Sequence, residues 1–217
     1  GSEMCIRDRF LLFIFCISTK SHASNNEPSI TSGSAILLEN STSKVLFEKN
    51  MNEKLEPASI TKIMTAILAI ENCNLDDVVT VPYEAISNIP SGYSVAPLQT
   101  DEQITVDQLL RVLMVHSAND AANALAYHID GSIPAFAERM NAKLNALGLK
   151  DSHFTNPSGQ HDTNHYSTAH DIAILLQYCM KNTTFKTYAS LKSCQLSATN
   201  KSEERSFQNT NPMLQPN

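Results

Sequence analysis

The chain has 217 residues, 42% of them hydrophobic and 18% charged, with a net charge of −6 at pH 7. That length carries a full core and points to one domain. The acidic balance, with no basic run, excludes a nucleic-acid partner. Five cysteines without a C-x-x-C pair exclude a disulfide-dense scaffold and a zinc-finger spacing.

Gly1-Ser2 looks non-native, and Met4 is the first possible start. Arg7 and Arg9 precede an apolar run from Phe10 to Ile17, followed by Ser21-His22-Ala23. A positive start, a short apolar stretch and small residues at the −3 and −1 positions predict a secretory signal peptide, residues 1–23, cleaved after Ala23. The run is shorter than the ~20 residues a membrane span requires. Cys5 and Cys16 leave with it, so Cys73, Cys179 and Cys194 allow at most one disulfide and read as structural.

Residues 34–39 and 44–49 are short apolar runs around Asn40-Ser41-Thr42-Ser43, a hairpin pattern. A helix is expected from Ser59 to about Glu71, with apolar residues on most sides. Residues 75–104 read as mixed, with Pro82, Pro90, Gly92 and Pro97 separating short extended pieces. Thr105-x-x-Gln108 is a capping box, opening a helix that runs to about His116. Further helices are expected at about Asp120–Ile129, Ile133–Leu147, Ser167–Cys179 and Phe185–Leu191, then a strand near Cys194–Thr199. Beyond about Asn200 no period is evident. Early strands, a helical middle and a late strand make an α+β pattern.

Two motifs carry chemistry. In Ser59-Ile60-Thr61-Lys62 the serine and lysine share one helix face, about 5–6 Å apart at Cβ. An amine at that distance can serve as the base for a serine nucleophile. Ser117-Ala118-Asn119 lies on the turn between two helices. In this order, S-x-x-K and S-x-N are the signature of penicillin-recognising serine enzymes. Each motif alone is weak: Ser41–Lys44 and Ser24–Asn26 repeat the patterns in a hairpin turn and beside the cleavage site.

The flanking residues add specificity. Pro57-Ala58-Ser59-Ile60-Thr61-Lys62-Ile63-Met64-Thr65-Ala66 and His116-Ser117-Ala118-Asn119-Asp120-Ala121-Ala122 resemble the first two motifs of the D-alanyl-D-alanine carboxypeptidases, the low-molecular-mass penicillin-binding proteins. Phe154-x-Asn156-Pro157-x-Gly159, Tyr166-Ser167-Thr168-Ala169-x-Asp171 and Asn209-Thr210-Asn211 extend the resemblance, which runs from about Ser34 to Asn211.

The resemblance implies a serine β-lactamase/D,D-transpeptidase-like fold: an antiparallel sheet with a helical subdomain. It implies removal of the terminal D-Ala from peptidoglycan stem peptides, outside the bacterial inner membrane, in cell wall biogenesis. Ser59 would be the nucleophile and Lys62 its base. Ser117 would relay a proton to the leaving group, and Asn119 would hold the substrate amide and orient Lys62. Penicillins would acylate Ser59. No cofactor or metal is implied.

One departure stands out. The third motif, K-T-G, does not follow Asn209-Thr210-Asn211, and Lys186-Thr187-Tyr188 precedes that segment. Residues 24–217 therefore read as an incomplete catalytic domain, expected to be inactive and poorly folded alone, with any membrane attachment lying in a missing C-terminal region.

Three readings compete. Rapid β-lactam hydrolysis is disfavoured because no glutamate lies between Glu138 and Glu203 to activate a deacylating water. A D,D-endopeptidase would use the same residues, and a peptidoglycan-binding pseudo-enzyme would lack the third motif. A metal reading of His161, Asp162, His165, His170 and Asp171 is disfavoured by their loop setting and the lack of H-E-x-x-H.

Overall fold

The structure, a computed structural model, describes residues 28–214. The expected signal peptide lies outside the described residues. Every element below belongs to the compact unit that begins at Ser32.

The hairpin forms as expected. Strands β1 (Ala35–Leu38) and β2 (Val45–Lys49) pair antiparallel, with Ala35 opposite Lys49 and Leu37 opposite Phe47. The Glu39 carboxylate accepts from the backbone N–H groups of Ser41 and Thr42, which closes the turn.

The nucleophile segment opens differently from a plain α-helix. Ala58–Thr61 forms a 3-10 turn, and α1 (Lys62–Asn72) continues from it. Tighter first turns of this kind are common at helix N-termini. Met64, Ala66, Ile67, Leu68 and Ala69 are all buried, so α1 is enclosed as its pattern predicted.

The stretch expected to be mixed holds three short elements. These are β3 (Val78–Thr80), α2 (Tyr83–Ser87) and β4 (Gln103–Thr105), with Val79 opposite Ile104. Only Val79 of β3 is buried, and three residues are too few to show a period. The Thr105–Gln108 capping box forms in full and starts α3 (Val106–His116). After it come α4 (Asn119–Asp130), α5 (Ile133–Ala146), α6 (Ala169–Cys179) and α7 (Thr183–Ala189). Ser132, Thr168 and Asn182 cap the last three by accepting from a backbone N–H three residues on, each cap contributing about 1 kcal/mol. Strand β5 (Ser193–Leu196) pairs antiparallel with β6 (Arg205–Gln208). Strand β6 escapes sequence reading because Phe207 is its one apolar residue.

The core lies where α1, α3, α4 and α5 meet, around Met64, Ile67, Leu68, Leu109, Leu110, Leu113, Leu125, Phe136 and Met140. Helix α4 presents Ala121, Ala122, Ala124 and Ala126, all fully buried, so its neighbours approach closely. The architecture is α+β. The described residues hold three separate two-stranded antiparallel sheets. Cys73, Cys179 and Cys194 are free thiols, and burial pushes the Cys179 thiol up to about 12. No described helix is long and apolar enough to cross a membrane.

Candidate active site

The backbone entering the 3-10 turn is held from two sides. Leu55 and Ser167 exchange backbone hydrogen bonds of 2.8 and 2.9 Å, anchoring the lead-in to the start of α6. Ala58 then takes φ +46°, a left-handed conformation that a residue with a Cβ rarely adopts. Gly159, itself at φ +80°, lies against it, and a Cβ there would be 1.7 Å from the Ala58 carbonyl oxygen.

The loop carrying Gly159 is built around one side chain. Asn156 Oδ1 accepts from the backbone N–H groups of Ser158 (3.2 Å), Gly159 (2.8 Å) and Gln160 (3.0 Å). This fan turns the Ser158 carbonyl toward α1, where it accepts from Lys62 Nζ at 2.8 Å. Thr65 Oγ1 donates to the Pro157 carbonyl at 2.6 Å, fixing the loop to the helix one turn on.

Lys62 Nζ donates to Ser59 Oγ at 3.0 Å. The pair is asymmetric: Ser59 is exposed and Lys62 is 3% exposed. Burial lowers the Lys62 ammonium from 10.5 to about 8, and the Asp120 carboxylate works in the opposite direction. About a tenth of the lysine is then neutral at pH 7, against a negligible fraction for an exposed lysine. A deprotonated amine 3.0 Å from a hydroxyl can take its proton.

Ser117 ends α3 in the left-handed region, φ 60° and ψ 35°, and Asn119 opens α4. Asn119 donates from both its backbone N–H and Nδ2 to the Ser94 carbonyl, each at 2.8 Å. Among the described residues, Lys62 Nζ bonds to Ser59 and Ser158, while the Asn119 amide turns to Ser94. Asp120 is 2% exposed and accepts from the N–H groups of Ala96 (2.9 Å) and Leu98 (3.0 Å). Burial raises its carboxyl and these backbone bonds hold it down. Arg205 on β6 donates from Nη1 to the Ala96 carbonyl at 2.8 Å and from Nη2 to the fully buried Glu102. The 94–98 loop is thus clamped by α4 on one side and β6 on the other.

The structure therefore brings Ser59 and Lys62 into contact and places Ser117 and Asn119 together at the α3–α4 junction. The second S-x-x-K, Ser41 to Lys44, lies in the β1–β2 turn, where Ser41 Oγ donates to Glu39. Ser24–Asn26 lies outside the described residues. The histidines of the metal reading have protein partners: His161 pairs with Glu56, His170 with Asp171, and His165 with Thr61. Among the described residues no three His, Cys, Asp or Glu side chains are grouped to hold a metal ion. Ser94, Asn156, the Ser158 carbonyl, Gly159 and His165 were not singled out as site residues in the sequence. Asn156, Ser158 and Gly159 lie in the Phe154–Gly159 pattern, His165 entered only through the metal reading, and Ser94 had no signal.

A family model described as D-alanyl-D-alanine carboxypeptidase matches residues 21–217. The D-alanyl-D-alanine carboxypeptidase DacF of Bacillus subtilis is 41% identical over 153 residues, covering 68% of this chain and 39% of the relative. Among solved structures, penicillin binding protein 6B of Escherichia coli aligns with a TM-score of 0.79 at 32% identity, over 89% of this chain and 62% of that one. A mutant of a Streptomyces DD-transpeptidase aligns with a TM-score of 0.81 at 31% identity, over 87% of this chain and 77% of that one. The chain thus spans about two fifths of the curated relative's length.

Proposed function

The chain belongs to the D-alanyl-D-alanine carboxypeptidase family, and on that premise we propose that Ser59 removes the terminal D-Ala from peptidoglycan stem peptides through an acyl-enzyme that penicillins imitate. The supporting observation is the exposed Ser59 hydroxyl in contact with a buried lysine amine whose charge is disfavoured.

In this reading Ser59 Oγ attacks the penultimate D-Ala carbonyl while neutral Lys62 Nζ takes the hydroxyl proton. The Ser158 carbonyl holds Nζ in line. The Ser59 backbone N–H, at a helix N-terminus, is one donor to the developing oxyanion. Ser117 passes a proton to the departing D-Ala nitrogen, and Asn119 holds the substrate amide once that amide replaces its bond to Ser94. Water then hydrolyses the Ser59 ester. The reaction belongs outside the inner membrane, where the substrate is found, and export by residues 1–23 accords with that.

The second oxyanion donor and the cation for the terminal carboxylate lie on the K-T-G strand in this family. Acylation is the sensitive test. Fluorescent penicillin followed by peptide mapping should place the adduct on Ser59 and lose it in Ser59→Ala. An adduct that persists in Ser59→Ala, or one that maps to another residue, overturns the assignment.

A further inference from the structure

His165 is a buried titratable side chain with no part in the reaction as written. It is 2% exposed and stacks on Phe154 with ring centroids 5.1 Å apart. Both ring nitrogens are engaged. The Thr155 backbone N–H donates to Nδ1 at 3.1 Å, and an N–H can only donate, so Nδ1 carries a lone pair. Thr155 Oγ1 (3.3 Å) and Asn156 Nδ2 (3.4 Å) flank the same nitrogen. The ring proton therefore sits on Nε2, which donates to Thr61 Oγ1 at 2.8 Å.

Thr61 is fully buried between the nucleophile and its base. The ring thus joins the nucleophile turn to the 155–160 loop, whose Ser158 carbonyl holds Lys62. On the reading of Ser59 and Lys62 given above, we propose that His165 is a positioning residue: as the neutral Nε2–H tautomer it fixes Thr61 and keeps Lys62 buried against Ser59. It touches neither substrate nor reacting atoms.

The surroundings maintain that tautomer. Burial depresses His165 from 6.5 to about 4; Asp162 and Glu56 oppose the depression and His153 adds to it. An imidazolium would point an Nδ1–H at the Thr155 N–H, donor against donor, so the contact requires the neutral ring. Glutamine can reproduce both bonds, with its amide oxygen toward Thr155 and its NH₂ toward Thr61. Leucine fills similar space and reproduces neither.

The test uses the whole 217-residue chain and a fluorophosphonate probe, which reads serine nucleophilicity without needing a substrate cleft. The wild-type rate should rise with pH to a midpoint near the Lys62 value. His165→Gln should stay within about threefold and keep that midpoint. His165→Leu should label at least tenfold more slowly, with its midpoint moved up by one pH unit or more as Lys62 becomes hydrated. Thr61→Val, nearly isosteric, should shift it the same way, and it decides the matter if His165→Leu does not fold. A folded His165→Leu or Thr61→Val with the wild-type midpoint overturns the proposal.

Imidazole ¹⁵N spectra decide the contact independently. An Nε2–H tautomer persisting to about pH 5 supports it, and an Nδ1–H tautomer or titration near 6.5 overturns it. If the wild-type chain fails to label while the Nε2–H tautomer is observed, the assignment of Ser59 fails and the His165–Thr61 contact stands.

Discussion

Gly159 and Ala58 meet backbone against backbone: a Cβ on Gly159 would fall 1.7 Å from the Ala58 carbonyl oxygen and 3.0 Å from Thr61 Oγ1. No rotamer relieves an overlap with main chain, so Gly159→Ala must move the 155–160 loop, the nucleophile turn, or both. Gly148→Ala is the control, because Gly148 also has positive φ, +75°, but nothing within 4 Å of its Cβ position. That control carries only left-handed strain, about 1–2 kcal/mol. Gly159→Ala should exceed it, lowering the melting temperature further and abolishing Ser59 labelling. Equal melting temperatures for the two variants would refute this account of the turn.

Lys62 sets the pH dependence. Labelling of Ser59 should rise with pH through a midpoint near 8, and Lys62→Ala should reduce it by at least 100-fold. Stability follows the same group. The unfolded chain holds the lysine proton up to about 10.5 and the folded chain only to about 8. Between those values the unfolded state binds more protons, so this group makes stability rise with pH there. Its contribution is complete above about 10.5 and lost as pH falls to 8. Urea titrations at pH 8 and pH 10 should show that difference in the wild type and not in Lys62→Met.

The Asp120 charge raises the Lys62 value against burial. Replacing it by Asn removes the charge, so the labelling midpoint should move below 8, with a higher rate at pH 7. Asp120→Ala also leaves the Ala96 and Leu98 N–H groups without their acceptor. Unmet buried donors cost about 1–3 kcal/mol each. The Ala variant should therefore melt lower than the Asn variant. A midpoint that rises in Asp120→Asn contradicts this electrostatic assignment.

The parts of the site legible in the sequence are those fixed by neighbours along the chain. Ser59 and Lys62 meet because helical geometry places i and i+3 together, and the Thr105–Gln108 box is equally local. The hairpin was readable from two apolar runs around a turn. What closes the site is long-range: Thr61 and His165 are 104 residues apart, and Asn119 meets Ser94 across 25. A backbone carbonyl such as that of Ser158 has no sequence signature at all. Strand β6 was silent because Arg205 is there for Glu102 and the Ala96 carbonyl rather than for the core. The α+β pattern was legible, and its strands form three antiparallel pairs among the described residues.

Arg205 and Glu102 form an ion pair that is easier to break than to replace. Glu102 is fully buried, and its other partners are Thr199 Oγ1 and the Gln99 N–H. Removing the arginine strands a charge, which typically costs about 3–5 kcal/mol, whereas replacing both partners is often near neutral. Arg205→Met should destabilise strongly, and adding Glu102→Gln should recover part of the loss. Additive effects in this double-mutant cycle, measured by urea unfolding, would show the pair to be energetically uncoupled.

The β1–β2 hairpin should be the least protected element of residues 24–217. It is a lone two-stranded sheet, and such sheets are marginal in water without a packed face. One side rests on α6, but a groove of about 340 Å³ separates part of it from Leu55, Ile60 and Ile172. Leu37 and Leu46, each 55% exposed, face solvent on the hairpin, and Ile60 beside the nucleophile is 49% exposed. Leu110 and Leu125 in the helical core are fully buried. Hydrogen exchange of the 24–217 polypeptide should therefore find β1 and β2 amides exchanging at least ~100-fold faster than those of α3 and α4, a span within that of local opening. An apolar dye should also bind. Equal protection across hairpin and helices, with no dye binding, would mean that this polypeptide folds as one cooperative unit, contrary to the expectation that it is poorly folded alone.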